Sequence, residues 1–342
     1  MGRLRWGADS LRLAATTPRV AAVMLRPATA AVRLASHGLP RPNATLRLAA
    51  VALLLGATTC SSAWAAPRPD QPMDDSILRR TDSGYRFQTL NLDSADGQRH
   101  YAIWIGKPER PAPAAGYPVL YMLDGNAALG ALKADELLTL SKGAAPVLVA
   151  VGYAGNMRID RAGRTMDYTP GPPGNDPLTQ QPSGGADAFL DLLEQQIKPA
   201  VARRVPLDAS QQTLWGHSYG GLLVLHALLA RPHRFAHYAA ASPSLWWLGS
   251  ERLDAALQGL EPGLGRRLDG QPTTLLLMRG ELELAAPRKQ PLPAGADPDS
   301  QMQGLLKALQ TAPHLRVHFQ TFPGLSHGPM LDASLRYLLQ HQ

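Results

Sequence analysis

The stretch Trp215–Gly216–His217–Ser218–Tyr219–Gly220–Gly221 sits between a strand-like run, 213–215, and a long apolar segment, 222–230. It contains G-x-S-x-G in the order strand, sharp turn, helix, the context in which that pattern carries chemistry. A glycine two residues to either side of Ser218 lets strand and helix cross closely, while the serine takes a strained backbone conformation. Its hydroxyl then stands at the tip of the turn, near a helix N-terminus that favours developing negative charge. A glycine-rich turn with a serine helix cap is the plainer alternative.

Outward from that turn, apolar runs at 118–123, 146–153, 236–241 and 273–278 have the continuous character of strands buried on both faces of a parallel sheet. Helical spacing marks 186–201, 253–260, 302–309 and 330–339, and 315–322 alternates as a strand. Ahead of these, 84–92 and 100–105 flank Ser94–Ala95–Asp96–Gly97 and predict an antiparallel hairpin. The expectation is an α/β fold: a mostly parallel sheet with helices on both faces after an initial hairpin. The stretch 156–183, rich in Gly, Pro and polar residues, reads as a long substrate loop. The proposed organisation is a leader over 1–65, a linker over 66–83 and one catalytic domain over 84–342.

The chain of 342 residues has a formal charge of +7. Residues 1–65 hold eight arginines, no lysine and one acid, Asp9, so the remainder is balanced at 26 basic and 26 acidic residues. With no basic stripe and interleaved aromatics in the body, nucleic acid is not expected as a partner. The leader reads as a secretion signal: Arg47 precedes the apolar run 48–56, and Ala63–Trp64–Ala65 is a small-x-small cleavage site. The run falls short of the about 20 residues that span a bilayer. The positive region ahead of the run is unusually long, which a true start at Met24 or a mis-called start codon would explain; a mitochondrial transit peptide is the competing reading. Cys60, the only cysteine, lies in the leader, and Thr58–Thr59 is a poor run-in for lipoprotein cleavage. A periplasmic or secreted protein is expected.

A serine hydroxyl needs a base to take its proton. On this topology the partners follow in the order serine, acid, histidine. His327, in Gly324–Leu325–Ser326–His327–Gly328, lies past the last strand and before the last helix, where the base should hang over the sheet edge. His217, inside the turn, is expected to face away. For the acid, Gly280–Glu281–Leu282–Glu283 follows the strand 273–278; Glu283, further into the loop, comes first and Glu281 second, and a serine–histidine dyad stays open. The oxyanion needs two fixed donors. One is the backbone N–H of Tyr219; the other comes from Asp124–Gly125–Asn126, with Asn126 favoured over Gly125. No cluster shows metal-ligand spacing, so neither metal nor organic cofactor is expected.

These residues also resemble a family. Tyr121–Met122–Leu123–Asp124–Gly125–Asn126, Asp167–Tyr168–Thr169–Pro170, the Ser218 turn, Ser242–Pro243–Ser244 and Phe322–Pro323–Gly324–Leu325–Ser326–His327–Gly328–Pro329–Met330 together look like the α/β-hydrolase esterases that open trilactone siderophores of the enterobactin and salmochelin type. The likeness is greatest to the periplasmic branch, which tolerates a dyad. It implies Ser218 as nucleophile, His327 as base and Arg164 as a substrate contact for an anionic catecholate ligand, ferric complex included. Taken alone, Arg164 reads as a salt bridge to Asp167 or a solvated arginine. Trp246 and Trp247 could offer aromatic surface to catechol rings. A general carboxylesterase or acyltransferase on this fold, and a non-catalytic siderophore-binding protein, are the alternatives.

Overall fold

Among the described residues the central sheet has eight strands, in the order β1 (Tyr85–Asp93), β2 (His100–Pro108), β4 (Val147–Tyr153), β3 (Tyr117–Met122), β7 (Leu207–His217), β8 (His237–Ala241), β9 (Thr273–Gly280), β10 (Leu315–Phe322). In this computed structural model the described residues are 70–248, 268, 272–283, 292 and 297–341. The expected leader and the expected helix at 253–260 lie outside them. β1 and β2 form the antiparallel hairpin, and β2 pairs antiparallel with β4. From β4 onward, through β3, β7, β8, β9 and β10, every pairing is parallel. The sheet is therefore mostly parallel, as the apolar runs predict.

Successive strand residues point to opposite faces, and both faces are buried. Val119 and Tyr121 of β3, Val149 and Val151 of β4 and Leu275 and Leu277 of β9 enter one core. Their neighbours Leu120, Met122, Leu148, Ala150, Leu276 and Met278 enter the other. This is why these strands read as unbroken apolar runs. The first core is covered by α4 (Ala186–Leu192), α6 (Tyr219–Ala230) and α7 (Pro298–Gln310). The second is covered by α1 (Gly125–Ala131), α2 (Ala134–Leu140) and α8 (Met330–Gln340). α4 runs through a π-helical stretch (Leu193–Ile197) into α5 (Lys198–Ala202). Pro199 has no N–H for the ordinary i→i−4 bond, and the backbone adopts the wider turn just before it.

Two expectations change. The stretch 156–183 is no structureless loop. It holds α3 (Arg161–Tyr168) and a two-stranded ribbon of β5 (Gly174–Asn175) and β6 (Pro182–Ser183). Asp160 caps α3 by accepting from the Gly163 N–H at 2.7 Å; Gly163 hides the helix from a propensity reading because it presses on the Tyr153 ring. The described part of the expected linker, from residue 70, is packed on the body. Ile77 is buried, Pro72 bridges to Met157, and the Met73 N–H donates to the Asn156 carbonyl at 2.6 Å. Among the described residues, no helix is long and apolar enough to cross a membrane.

Asp167, in α3, is buried and heavily tied. It pairs with Arg99 at 2.9 Å and accepts from the hydroxyls of Tyr101 and Tyr153, each at 2.9 Å. Burial raises its pKa to about 6 against the pull of Arg99 and the two hydroxyls. Through Tyr101, Tyr153 and Asp167 this cluster joins β2, β4 and α3.

Candidate active site

Ser218 lies between β7 and α6, at the N-cap of the helix, with φ 62° and ψ −116°. A Cβ at Gly216 would lie 2.5 Å from the Gly220 backbone, so strand and helix cross here only because that position carries no side chain. The Ser218 N–H donates to Ala241 O at 2.9 Å, and its carbonyl accepts from Leu222 and Ser244. Held by these three backbone bonds, the turn presents a half-buried hydroxyl at the C-terminal edge of the sheet.

His327 and Glu283 meet it there. His327 Nε2 lies 3.0 Å from Ser218 Oγ, and its Nδ1 lies 3.2 Å from Glu283 Oε2. The other carboxylate oxygen of Glu283 accepts from Ser242 Oγ at 2.5 Å and from the Gly280 N–H at 2.7 Å. Burial pushes the Glu283 pKa up, but the hydrogen bond and charge of His327, with the Ser242 and Gly280 donors, outweigh it and hold it below the usual range. An ionised carboxylate only accepts. The His327 proton is therefore on Nδ1, leaving Nε2 to accept from the Ser218 hydroxyl. That is the tautomer a general base requires. Glu281 is turned elsewhere: its Oε2 accepts from the Gly324 N–H at 2.8 Å, bracing the loop that carries His327.

His217 faces away from the serine hydroxyl and reaches the base from behind, its Nε2 2.9 Å from the His327 carbonyl. Ser244 Oγ stands 3.3 Å from Ser218 Oγ. With Ser218 donating to His327, Ser244 is the donor in that pair. The sequence of Ser242–Pro243–Ser244 signals no partner for either serine; Ser242 touches the acid and Ser244 the nucleophile.

The loop after β3 lies beside the turn. Asp124, at φ 50° and ψ 48°, precedes α1. Gly125 and Asn126 occupy the first turn of α1, where N–H groups have no intrahelical acceptor. The Asn126 side chain is engaged on both sides, accepting from the Tyr153 N–H at 2.8 Å and donating to its carbonyl at 3.0 Å. Any role for Asn126 toward an oxyanion thus falls to its backbone. Tyr219 follows the serine directly. Its hydroxyl donates to buried Asp176 from the β5–β6 segment, and its ring meets Trp246 and Trp247 at 5.8 and 5.9 Å. Both tryptophans are half-buried, and Trp247 is fixed by donating to Pro170 O at 3.0 Å.

Arg164 is where the structure corrects the reading. Its partner is Asp124 rather than Asp167. Nε and Nη2 donate to the two carboxylate oxygens of Asp124 at 2.8 and 3.0 Å, and Nη2 also meets His217 O at 3.3 Å. The side chains of Arg164 and Asp124 are only 12% and 3% exposed. Sequence proximity favoured Asp167, which Arg99 already occupies. Among the described residues, no group of three or more His, Cys, Asp or Glu residues is arranged to hold a metal ion.

Comparison with known proteins fits this geometry. The family model Esterase, described as "Putative esterase", matches residues 94–262. The chain is 35% identical over 294 residues to the apo-salmochelin esterase of Escherichia coli, covering 82% of this chain and 87% of that protein. It is 35% identical over 204 residues to the ferri-bacillibactin esterase BesA of Bacillus subtilis, covering 56% of this chain and 69% of that one. Among solved structures, the enterobactin and salmochelin hydrolase IroE superposes with a TM-score of 0.60 at 37% identity, covering 78% of this chain and 98% of that chain.

Proposed function

The chain belongs to the siderophore trilactone esterase family on the α/β-hydrolase fold and is a serine carboxylic-ester hydrolase; from that premise we propose that Ser218 opens the ester bonds of a trilactone catecholate siderophore through an acyl-enzyme. The observation that carries the reading is the continuous relay Ser218–His327–Glu283, with contacts of 3.0 and 3.2 Å.

In this reading His327 Nε2 takes the Ser218 proton as Oγ attacks the lactone carbonyl. The oxyanion rests on the N–H groups of Tyr219 and of Asn126, with that of Gly125 as the second choice. Each such donor is worth about 10²–10³ in rate. His327 then protonates the leaving alkoxide, which stays tethered to the opened trilactone. Water enters and attacks the acyl carbon as His327 accepts its proton; the bond to Oγ then breaks, His327 returns the proton to Ser218 Oγ, and the linear acid is released. Glu283 keeps Nδ1 protonated throughout and stabilises the imidazolium that forms in each half-reaction. The carboxylate is suited to this because three donors favour its ionised form. No step calls on a cofactor.

The leader, with its arginines, apolar run and Ala63–Trp64–Ala65 site, supports export to the periplasm or beyond, where a siderophore is met before it enters the cell. Incubating protein beginning at Ala66 with enterobactin, and following linear products by mass, tests the substrate. Ring-opened products from the wild type and none from Ser218→Ala are expected. Intact trilactone in both samples, beside turnover of a simple acyl ester, would remove the siderophore from the reading.

A further inference from the structure

We propose that Arg164 is a positioning residue: its ion pair with Asp124 clamps the Asp124–Asn126 turn against the Ser218 turn and so sets the spacing between the two sources of oxyanion donors. The proposal rests on the reading of Ser218 as nucleophile given above.

The two donor-bearing segments come from different strands, β3 and β7, and Arg164 belongs to neither. From α3 its guanidinium reaches both. It grips the two oxygens of Asp124, the residue just before Gly125 and Asn126. Its Nη2 also reaches the carbonyl of His217, the residue just before Ser218. Its Cζ lies 5.2 Å from the ring centre of Tyr219, the residue just after Ser218, and 5.6 Å from that of Tyr168. A single rigid fork thus meets the residues flanking the nucleophile and the residue leading the second donor segment.

Asp124 is fixed on its own side as well. Its N–H donates to the Tyr168 hydroxyl at 3.0 Å, and its carbonyl accepts from Ala127 and Ala128. Its carboxylate faces the first turn of α6, where a Cβ on Gly220 would lie 3.5 Å from Oδ2. The left-handed backbone of Asp124 is a conformation that persists only where surroundings enforce it. Almost no solvent reaches the pair. A buried ion pair is a weak source of net stability against apolar replacements, but it defines geometry. Two carboxylate oxygens and a carbonyl demand a planar fork; an ammonium on a flexible stem reaches fewer of them.

The test is steady-state kinetics of Arg164→Met and Arg164→Lys on two substrates, a neutral p-nitrophenyl ester and an anionic catecholate trilactone. A clamp acts on the transition state whatever the substrate carries. The expected result is a fall in kcat of about 10²-fold on both for Arg164→Met, KM within about threefold, and partial recovery in Arg164→Lys. A rise in KM confined to the anionic substrate would make Arg164 a substrate contact and overturn the proposal. So would wild-type kcat on both. Ser218→Ala run alongside separates the failures: full turnover there defeats the nucleophile reading, whereas an inert Ser218→Ala beside a fully active Arg164→Met defeats the clamp alone. If Arg164→Met does not fold, because it strands a buried carboxylate, Arg164→Met/Asp124→Asn is read by the same criteria. It leaves no buried charge, and asparagine tolerates the left-handed conformation.

Discussion

His217, the residue before Ser218, donates its Nε2–H to the backbone carbonyl of His327 at 2.9 Å. A carbonyl only accepts, so the His217 tautomer is determined. Burial, followed by the nearby His327 and Arg164, pushes the His217 pKa well below the ordinary value, and the ring stays neutral near pH 7. The two rings lie 4.7 Å apart, centre to centre. The turn that displays the serine therefore also anchors the loop that carries the histidine.

Replacing His217 with phenylalanine keeps a ring in place and removes the donor. A fall in kcat of about tenfold with KM unchanged is expected, since a slightly misplaced base affects the chemical step rather than binding. Unchanged kcat would show that the anchor contributes nothing to positioning His327.

Glu283 and Glu281 should separate sharply. Glu283→Gln removes the charge that stabilises the imidazolium and the acceptor that fixes its tautomer, so kcat should drop by about 10²–10⁴-fold. Glu281→Gln weakens only the brace on the Gly324 N–H, and a change of less than about tenfold is expected. Equal effects from both in steady-state assays would contradict this division.

Asp167→Ala leaves the Arg99 guanidinium and two tyrosine hydroxyls without their shared acceptor. Removing one partner of a buried pair typically costs about 3–5 kcal/mol. Urea unfolding should show a loss of that size, with kcat per folded molecule retained. Wild-type stability would mean that water or rearrangement replaces the carboxylate.

Burial lowers the pKa of His237 from 6.5 to about 4. Between those values the unfolded chain binds the proton and the folded chain does not, so stability is complete above pH 6.5 and is lost as pH falls toward 4. The slope is at most about 1.4 kcal/mol per pH unit for one such group. Asp167, with its pKa raised to about 6, contributes the opposite slope between 3.8 and 6. The comparison is therefore of variants: His237→Gln should be less acid-sensitive than wild type over this window by thermal unfolding. An identical pH dependence would show that His237 is not buried neutral.

The fold was legible because both faces of the sheet are buried, which turns β3, β4 and β9 into continuous apolar runs. The proximity of His327 to Ser218 was legible from chain order, since a parallel sheet brings every strand-to-helix turn to one edge. What escaped were contacts between residues distant in sequence. Arg164 lies 40 residues from Asp124 and three from Asp167, and nearness in the chain pointed to the wrong carboxylate. Ser242 and Ser244 carry no pattern that distinguishes a turn serine from one touching an acid or a nucleophile. α3 was hidden because its capping aspartate and Gly163 resemble loop composition, and Gly163 makes sense only against the Tyr153 ring.

Rapid quenching of enterobactin turnover, followed by intact-protein mass measurement, tests directly whether Ser218 is acylated. A transient adduct carrying the mass of the opened trilactone, mapped by digestion to Ser218 and absent from Ser218→Ala, is expected. Steady release of linear product from Ser218→Ala at the wild-type rate, with no adduct in either protein, would contradict it.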